Sequence, residues 1–350
     1  MRIGIVTPAP PDSRYGNRIT ALRWAKILRA LGHRVSISQA YDGEPYDLLI
    51  ALHARRSHRS IISFRRKNIE APIVVALTGT DLYRDIRTNR LAANSLDIAT
   101  AIVVLQPKAI EELRPDLRVK TRVIYQSVED MQGQTVTSKK AAKSTTNKRA
   151  SGGRTSNIFN VCVIGHLRAV KDPFRTALAA RLLPQSSTIR VLQVGKAMNE
   201  AMATRARREM RANRRYQWLG EQPQSRVRRI LAKSHLCVLS SRMEGGANVL
   251  SEAIVASVPI LASRIDGNVG ILGKDYPGYF AVGDTKQLAQ LLTRAETCRE
   301  YLAELRTRGR NLALLFDPAR EKLAWADLIC ELRGKSSVDC LKLIANRDGS

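Results

Sequence analysis

Short apolar runs recur along this chain, separated by polar loops and by segments whose apolar residues are spaced three or four apart. Residues 1–7 form such a run and predict a buried strand. After a proline-rich loop, Leu22, Ala25, Ile27, Leu28 and Leu31 fall on one helical face, closed by Gly32. Residues 35–38, 46–52 and 72–77 predict a second, third and fourth strand, with two short ones at 99–105 and 122–125. Alternation of strand and helix predicts an α/β fold with a parallel sheet. The loop after the first strand is not G-x-G-x-x-G, so it carries no dinucleotide fingerprint.

Residues 131–157 break the pattern. They are rich in Lys, Ser, Thr and Gly without apolar periodicity and predict a disordered basic linker. The alternation then restarts. Strands are predicted at 159–164, 190–194, 235–239 and 259–262, with helices over most of 284–335 and a loosely ordered end at 334–350. The chain therefore divides into a first domain at 1–130, the linker at 131–157 and a second domain at 158–316. No repeat shorter than a domain is visible.

Composition adds constraints. The chain has 350 residues, 44% apolar, which fits two soluble globular domains. No run reaches the length of a membrane span, and the N-terminus lacks the pattern of a secretory signal. Five scattered cysteines, none in a C-x-x-C pair, suggest reduced thiols in a cytoplasmic protein and no zinc site. The net charge of +27 is compatible with nucleic-acid binding or with small anionic substrates. Six of those charges lie in 131–157, leaving +21 elsewhere, spread over helical faces. Aromatics are only 5%, so stacking platforms for single strands are scarce, and no specific nucleic-acid or membrane partner is expected.

The chemistry concentrates at strand ends, where ligands of parallel sheets bind. The run 235–239 leads into Ser240-Ser-Arg-Met-Glu244-Gly-Gly-Ala-Asn248-Val249, which opens a helix stopped by Pro259. Glycines admit a ligand close to the backbone, and the amides of Gly246, Ala247 and Asn248 would face an anion at a helix N-terminus. Glu244 and Glu252 frame this turn. The same residues also fit an ordinary strand-to-helix turn with two solvated glutamates. A second anion turn, Gly165-His-Leu-Arg168-Ala-Val-Lys171, follows the strand at 159–164. No D-x-D pair is present to hold a metal, so Lys171 and Arg168 would have to neutralise a pyrophosphate alone. In the first half, loops 8–18, 53–59 and 78–81 offer Asn17, Arg18, His53, Arg55, Arg56, His58, Arg59 and Thr80 as an anion-receiving wall. Some of these arginines would only start a helix and face solvent.

The second half resembles the nucleotide-sugar domain of GT-B fold glycosyltransferases. Gly165-x-Leu-x-x-x-Lys171 is similar to the family's pyrophosphate-binding strand end, and Glu244-x7-Glu252 to its paired-glutamate signature. The family often has Arg directly after that first glycine, where this chain has His166; Arg168 is the candidate for the role. In the first half, Thr7-Pro-Ala-Pro-Pro-x4-Gly16-Asn17-Arg18, Leu52-His53-Ala-Arg55-Arg56-Ser57 and Leu77-Thr78-Gly79-Thr80-Asp81 resemble the selenosugar synthases of selenoneine biosynthesis. The resemblance implies two Rossmann-like domains facing each other across a cleft, and a last helix, at 317–335, returning to the first domain. It implies a reaction between UDP-N-acetylglucosamine, or a similar UDP-hexose, and selenophosphate, giving a 1-selenosugar with release of UDP and phosphate. No cofactor and no metal are expected, the UDP-sugar being a substrate.

On that reading Lys171, Arg168, Glu244 and His53 are the catalytic candidates. The donor would lie against Gly165, Arg168, Lys171, Glu244, Gly245, Gly246, Ala247, Asn248 and Val249, with Glu252 on the ribose. The acceptor would meet Gly16, Asn17, Arg18, His53, Arg55, Thr78, Gly79, Thr80 and Asp81. The alternatives are transfer to an ordinary hydroxyl or thiol, and a non-enzymatic nucleic-acid binder. The linker assignment has a direct consequence. Deleting residues 135–155 leaves turnover nearly intact, measured as UDP release; loss of folding on that deletion overturns the assignment.

Overall fold

The computed structural model describes residues 1–129 and 158–334. The predicted linker at 131–157 and nearly all of the predicted loose end lie outside the described residues. Two parallel sheets of six strands organise the chain. The first contains β1 (Arg2–Val6), β2 (Arg34–Ser38), β3 (Leu48–Leu52), β4 (Ile73–Leu77), β5 (Ala101–Val104) and β6 (Thr121–Val123), in the order β2-β1-β3-β4-β5-β6. The second contains β7 (Phe159–Ile164), β8 (Ile189–Val194), β9 (Tyr216–Trp218), β10 (Leu236–Leu239), β11 (Ile260–Ser263) and β12 (Tyr279–Phe280), in the order β12-β11-β10-β7-β8-β9.

Sequence explains the central strands directly. β3 (Leu-Leu-Ile-Ala-Leu) and β4 (Ile-Val-Val-Ala-Leu) are buried at every position, as strands covered by helices on both faces must be. Strand order reverses between β1 and β3 in one sheet, and between β7 and β10 in the other. These are the switch points where a parallel sheet opens a crevice for ligand. The loops that follow β1, β3, β7 and β10 all reach the same cleft.

The helix Gly16–Ala30 differs from the predicted face. It buries Thr20, Ala21, Trp24, Ala25 and Leu28, while Leu22 is exposed. Trp24 sets the stripe, because it meets a partner from the far end of the chain. The helix Pro318–Leu332, capped by the Asp317 side chain on the amide of Ala319, lays Trp325, Leu328 and Ile329 into the first domain's core. Trp24 and Trp325 meet edge to face at 4.8 Å. Glu321 on the same helix is buried yet fully engaged. It accepts from Trp24 Nε1 at 2.9 Å, and from the amide of Ser127 at 2.8 Å and its hydroxyl.

Cys162, Cys237 and Cys298 are free thiols, but Cys330 is disulfide-bonded, so the expectation of reduced cysteines fails there. No helix among the described residues is long and apolar enough to cross a membrane. Because Trp325 is wholly buried, replacing it by Ala costs about 3–5 kcal/mol. Chemical denaturation should show that loss in the first domain, and an unchanged midpoint would dismiss the helix as a stabilising element.

Candidate active site

A cleft of about 480 Å³ lies between the two domains. Its second-domain wall is built from the turns after β7 and β10, which are tied together. The Lys171 ammonium pairs with the Glu244 carboxylate, and Ser241 Oγ donates to the same carboxylate oxygen at 2.6 Å. Ser240 Oγ donates to the carbonyl of Asp172 at 2.9 Å, and the amide of Arg242 donates to Val170 at 2.8 Å. An ammonium and a carboxylate thus sit side by side at the mouth of the turn. The helix Asn248–Val255 then points its N-terminus into the cleft. Glu252, one turn on, accepts from Gln224 Nε2 at 3.2 Å. Burial pushes its carboxyl above the ordinary value, opposed by Arg228 and Arg23.

The first-domain wall is organised by His53, which ends β3 in a left-handed conformation, φ 76°. A non-glycine residue held there is strained, and such strain gathers at functional sites. Its Nδ1 accepts from the amide of Arg56 at 3.4 Å, which puts the ring proton on Nε2, facing Thr80 Oγ1 at 3.4 Å. Burial lowers its pKa, against the pull of Asp81 and Asp85, so the ring is neutral at neutral pH.

The structure brings most of the sequence-named residues to this cleft. Gly165, Arg168, Lys171, Glu244, Gly246, Ala247, Asn248, Val249 and Glu252 line one side, and Gly16, Asn17, His53, Thr78, Gly79 and Thr80 the other. Of the donor and acceptor candidates, four do not line it. Asp81 is fully buried and works as a staple: its carboxylate accepts from the amides of Ala54 at 3.1 Å and Gly79 at 2.9 Å, fixing two strand ends together. Arg55 turns away to Asp85, 3.3 Å from its Nε. Arg18 donates to the carbonyl of Pro11 at 3.0 Å and braces the loop from behind. Gly245 is occupied by the other domain: a Cβ there would lie 2.6 Å from the carbonyl carbon of Thr78.

Other groups take the vacant places. Arg14, Arg56 and Arg84 line the first-domain side. The sequence offers both Arg55 and Arg56 for the basic wall, and Arg56 is the one that reaches the cleft. Arg84 lies on a π-helical turn, Asp81–Asp85, whose irregular phase no periodicity in the sequence announces. His58 and Arg59 open the helix His58–Lys67 instead, and His58 bonds Ser95 at 3.0 Å. His166 bridges the domains. Its Nδ1 accepts from the amide of Lys196 at 3.2 Å, its Nε2 faces the carbonyl of Arg14 at 3.3 Å, and its ring meets Tyr15 edge-on at 5.6 Å. His235 is structural, accepting from the amide of Asn160 at 3.0 Å and stacking on Phe159.

Residues 144–312 match the family model described as glycosyl transferases group 1. The matched segment, just under half of the chain, is similar to the group 1 glycosyltransferases. The whole chain has the GT-B fold. It superposes on HepE of Anabaena in complex with UDP-glucose with a TM-score of 0.72 at 14% identity, covering 95% of this chain and 100% of that one. Sucrose-phosphate synthase of Thermosynechococcus elongatus gives 0.72 at 15% identity, covering 95% and 99%. A glycosyltransferase of Rickettsia africae gives 0.68 at 13%, covering 96% and 99%. In this GT-B protein the domains meet through Gly245, so a side chain at that position must wedge them apart. Gly245→Val should leave the melting temperature nearly unchanged, enlarge the radius of gyration in small-angle scattering and abolish turnover. Unchanged scattering would mean that the contact does not set closure.

Proposed function

We propose that this protein transfers a hexose from a UDP-sugar, UDP-N-acetylglucosamine or a close relative, to the selenium of selenophosphate. The carbon–oxygen bond to UDP breaks as a carbon–selenium bond forms at the anomeric carbon. Water then cleaves the phosphorus–selenium bond, and a 1-selenosugar, UDP and phosphate result. The observation that carries the acceptor half is charge. Three arginines and no carboxylate come to the cleft from the first domain, among the described residues. A wall of that kind suits a small multiply charged anion. It offers no carboxylate base for an alcohol, which selenium, already nucleophilic, does not need.

The donor half is supported by the second-domain turns. UDP-glucose occupies the structure of HepE from Anabaena. Here the paired Lys171 and Glu244 would straddle the bond that breaks. The ammonium, with Arg168 and the helix N-terminus, stabilises the departing diphosphate. The carboxylate accepts from hexose hydroxyls, and Glu252 accepts from the ribose. His53, neutral and aimed by Thr80, positions the acceptor beside Arg56 and Arg84. The enzyme's contribution is orientation and leaving-group stabilisation.

The competing reading is transfer to a hydroxyl or thiol acceptor that itself carries an anionic group. The same arginines would suit it, and His53 would then be the base. One reaction separates the two: purified protein with UDP-N-acetylglucosamine and freshly generated selenophosphate, followed by mass spectrometry. A selenium isotope pattern at the mass of a hexosamine selenol or its diselenide is expected. UDP release only with another acceptor would discard selenophosphate and keep the transferase. In the active pairing, Lys171→Ala should lower kcat by about a hundredfold or more, and Glu252→Ala should weaken UDP binding roughly tenfold to a hundredfold. Arg56→Ala and Arg84→Ala should raise KM for the anion far more than KM for the sugar nucleotide; equal effects would sink the acceptor assignment.

A further inference from the structure

One cation of the first domain reaches past the cleft into the second. Arg23 lies in the middle of the helix Gly16–Ala30, and its Nη2 donates to Asn248 Oδ1 at 2.8 Å. Asn248 is the first residue of the helix whose N-terminus forms the second-domain turn. The other terminal nitrogen, Arg23 Nη1, is buried without a partner. The carboxylates acting on this guanidinium are Glu321, Glu252 and Glu129, and the cation is Arg228. Glu321, the strongest of these, also accepts from Trp24 and Ser127, and Glu129 pairs with Lys26 at the surface. Glu252 is the one of the three that lines the cleft. A buried guanidinium with one directional bond and one idle donor holds a geometry without being consumed by it.

We infer that Arg23 is the positioning residue through which the first domain holds the nucleotide-binding turn: by gripping Asn248 beside Glu252 it makes donor binding and domain closure one coupled event. The inference rests on the donor assignment above. Arg23 does not line the cleft and touches no substrate; it acts through Asn248 and Glu252. Closure coupled in this way is reciprocal, so bound nucleotide strengthens the grip as much as the grip strengthens nucleotide binding.

The charges around Glu252 give the coupling a signature. Arg228 and Gln224 face it from the helix Gln224–Lys233, Arg23 from the first domain, and the Cys237 thiol from β10. Both arginines favour its ionised form against burial. An ionised Glu252 accepts from the ribose; a protonated one does so poorly. UDP affinity is therefore lost as pH falls through the Glu252 pKa. Removing Arg23 raises that pKa further, so the loss begins at higher pH.

The test uses the full chain with Arg23→Met, Arg23→Lys, Asn248→Ala and the double variant Arg23→Met with Asn248→Ala. UDP binding is measured by calorimetry across pH, and the radius of gyration by small-angle scattering with and without UDP. Arg23→Met and Asn248→Ala should each weaken UDP roughly tenfold, and the double variant should be little worse than either, because both break one contact. Arg23→Met should shift the acid limb of binding to higher pH, while Arg23→Lys keeps the limb near its original place. Without UDP, Arg23→Met and Asn248→Ala should both enlarge the radius of gyration. Unmoved affinity and limb with intact UDP binding overturn the inference and leave the donor reading standing. If the unaltered protein does not bind UDP, the donor reading fails, and unchanged scattering of the ligand-free variants then overturns the grip as well. Should Arg23→Met fail to fold, Arg23→Gln carries the acid-limb measurement and Asn248→Ala the ligand-free scattering.

Discussion

Two backbones touch at the seam between the domains, and the site depends on that contact. Gly245, Gly246 and Gly270 of the second domain face Thr78, Leu105 and Gln106 of the first, and each would drive a Cβ into them at less than 3 Å. The missing side chains are the space in which the other domain sits. The glycine-rich turn therefore does two things. Gly246 and the residues after it leave the helix N-terminus open to the cleft, while Gly245 spends its freedom on the opposite domain. Close approach to a ligand is half of what these glycines serve, since close approach to protein has the same sequence signature.

The two walls differ in electrical character because of what each buries. On the first-domain side, Asp81 and Asp85 are sunk behind His53 at 0% and 2% exposure, with their charge taken up by backbone amides, Arg55 and Arg84. What remains facing the cleft is a neutral imidazole, threonines and arginines. On the second-domain side, the carboxylates Glu244 and Glu252 stay at the cleft, beside Lys171 and below Arg23. A hydroxyl-rich, phosphorylated donor and a bare anion would each find the complementary surface, which is why the proposed reaction divides between domains as it does.

How far the sequence discloses this depends on the range of the interaction. Parallel strands buried on both faces appear as unbroken apolar runs, so β3 and β4 and their ends were plain. Glu244 and Glu252 share one turn and helix, and their spacing is visible without a fold. Arg55 and Arg56 could not be separated, because the left-handed bend at His53 decides which of two neighbours faces the cleft, and no residue type forces that bend. Arg84 was hidden by the π-helical turn. Arg23 was invisible for another reason: its partner Asn248 is 225 residues away and belongs to the other domain. The return of the helix Pro318–Leu332 to the first domain followed from the family resemblance, but nothing local announced that Glu321 would be buried there.

That glutamate links the last helix to the site. A buried carboxylate needs donors, and Glu321 finds them on Trp24 and on Ser127. Trp24 is next to Arg23 in sequence, and the same helix sends Gly16, Asn17 and Thr20 to the cleft. Ser127 is the point where the chain leaves the first domain, and its neighbour Val128 donates its amide to Phe316 at 3.0 Å, where the chain returns. One side chain thus pins the outgoing chain, the returning helix and the helix that reaches both the cleft and Asn248. The first-domain wall, the Arg23 contact and the crossover are linked through one buried carboxylate. The glycines at the seam set how closely the second domain meets that wall.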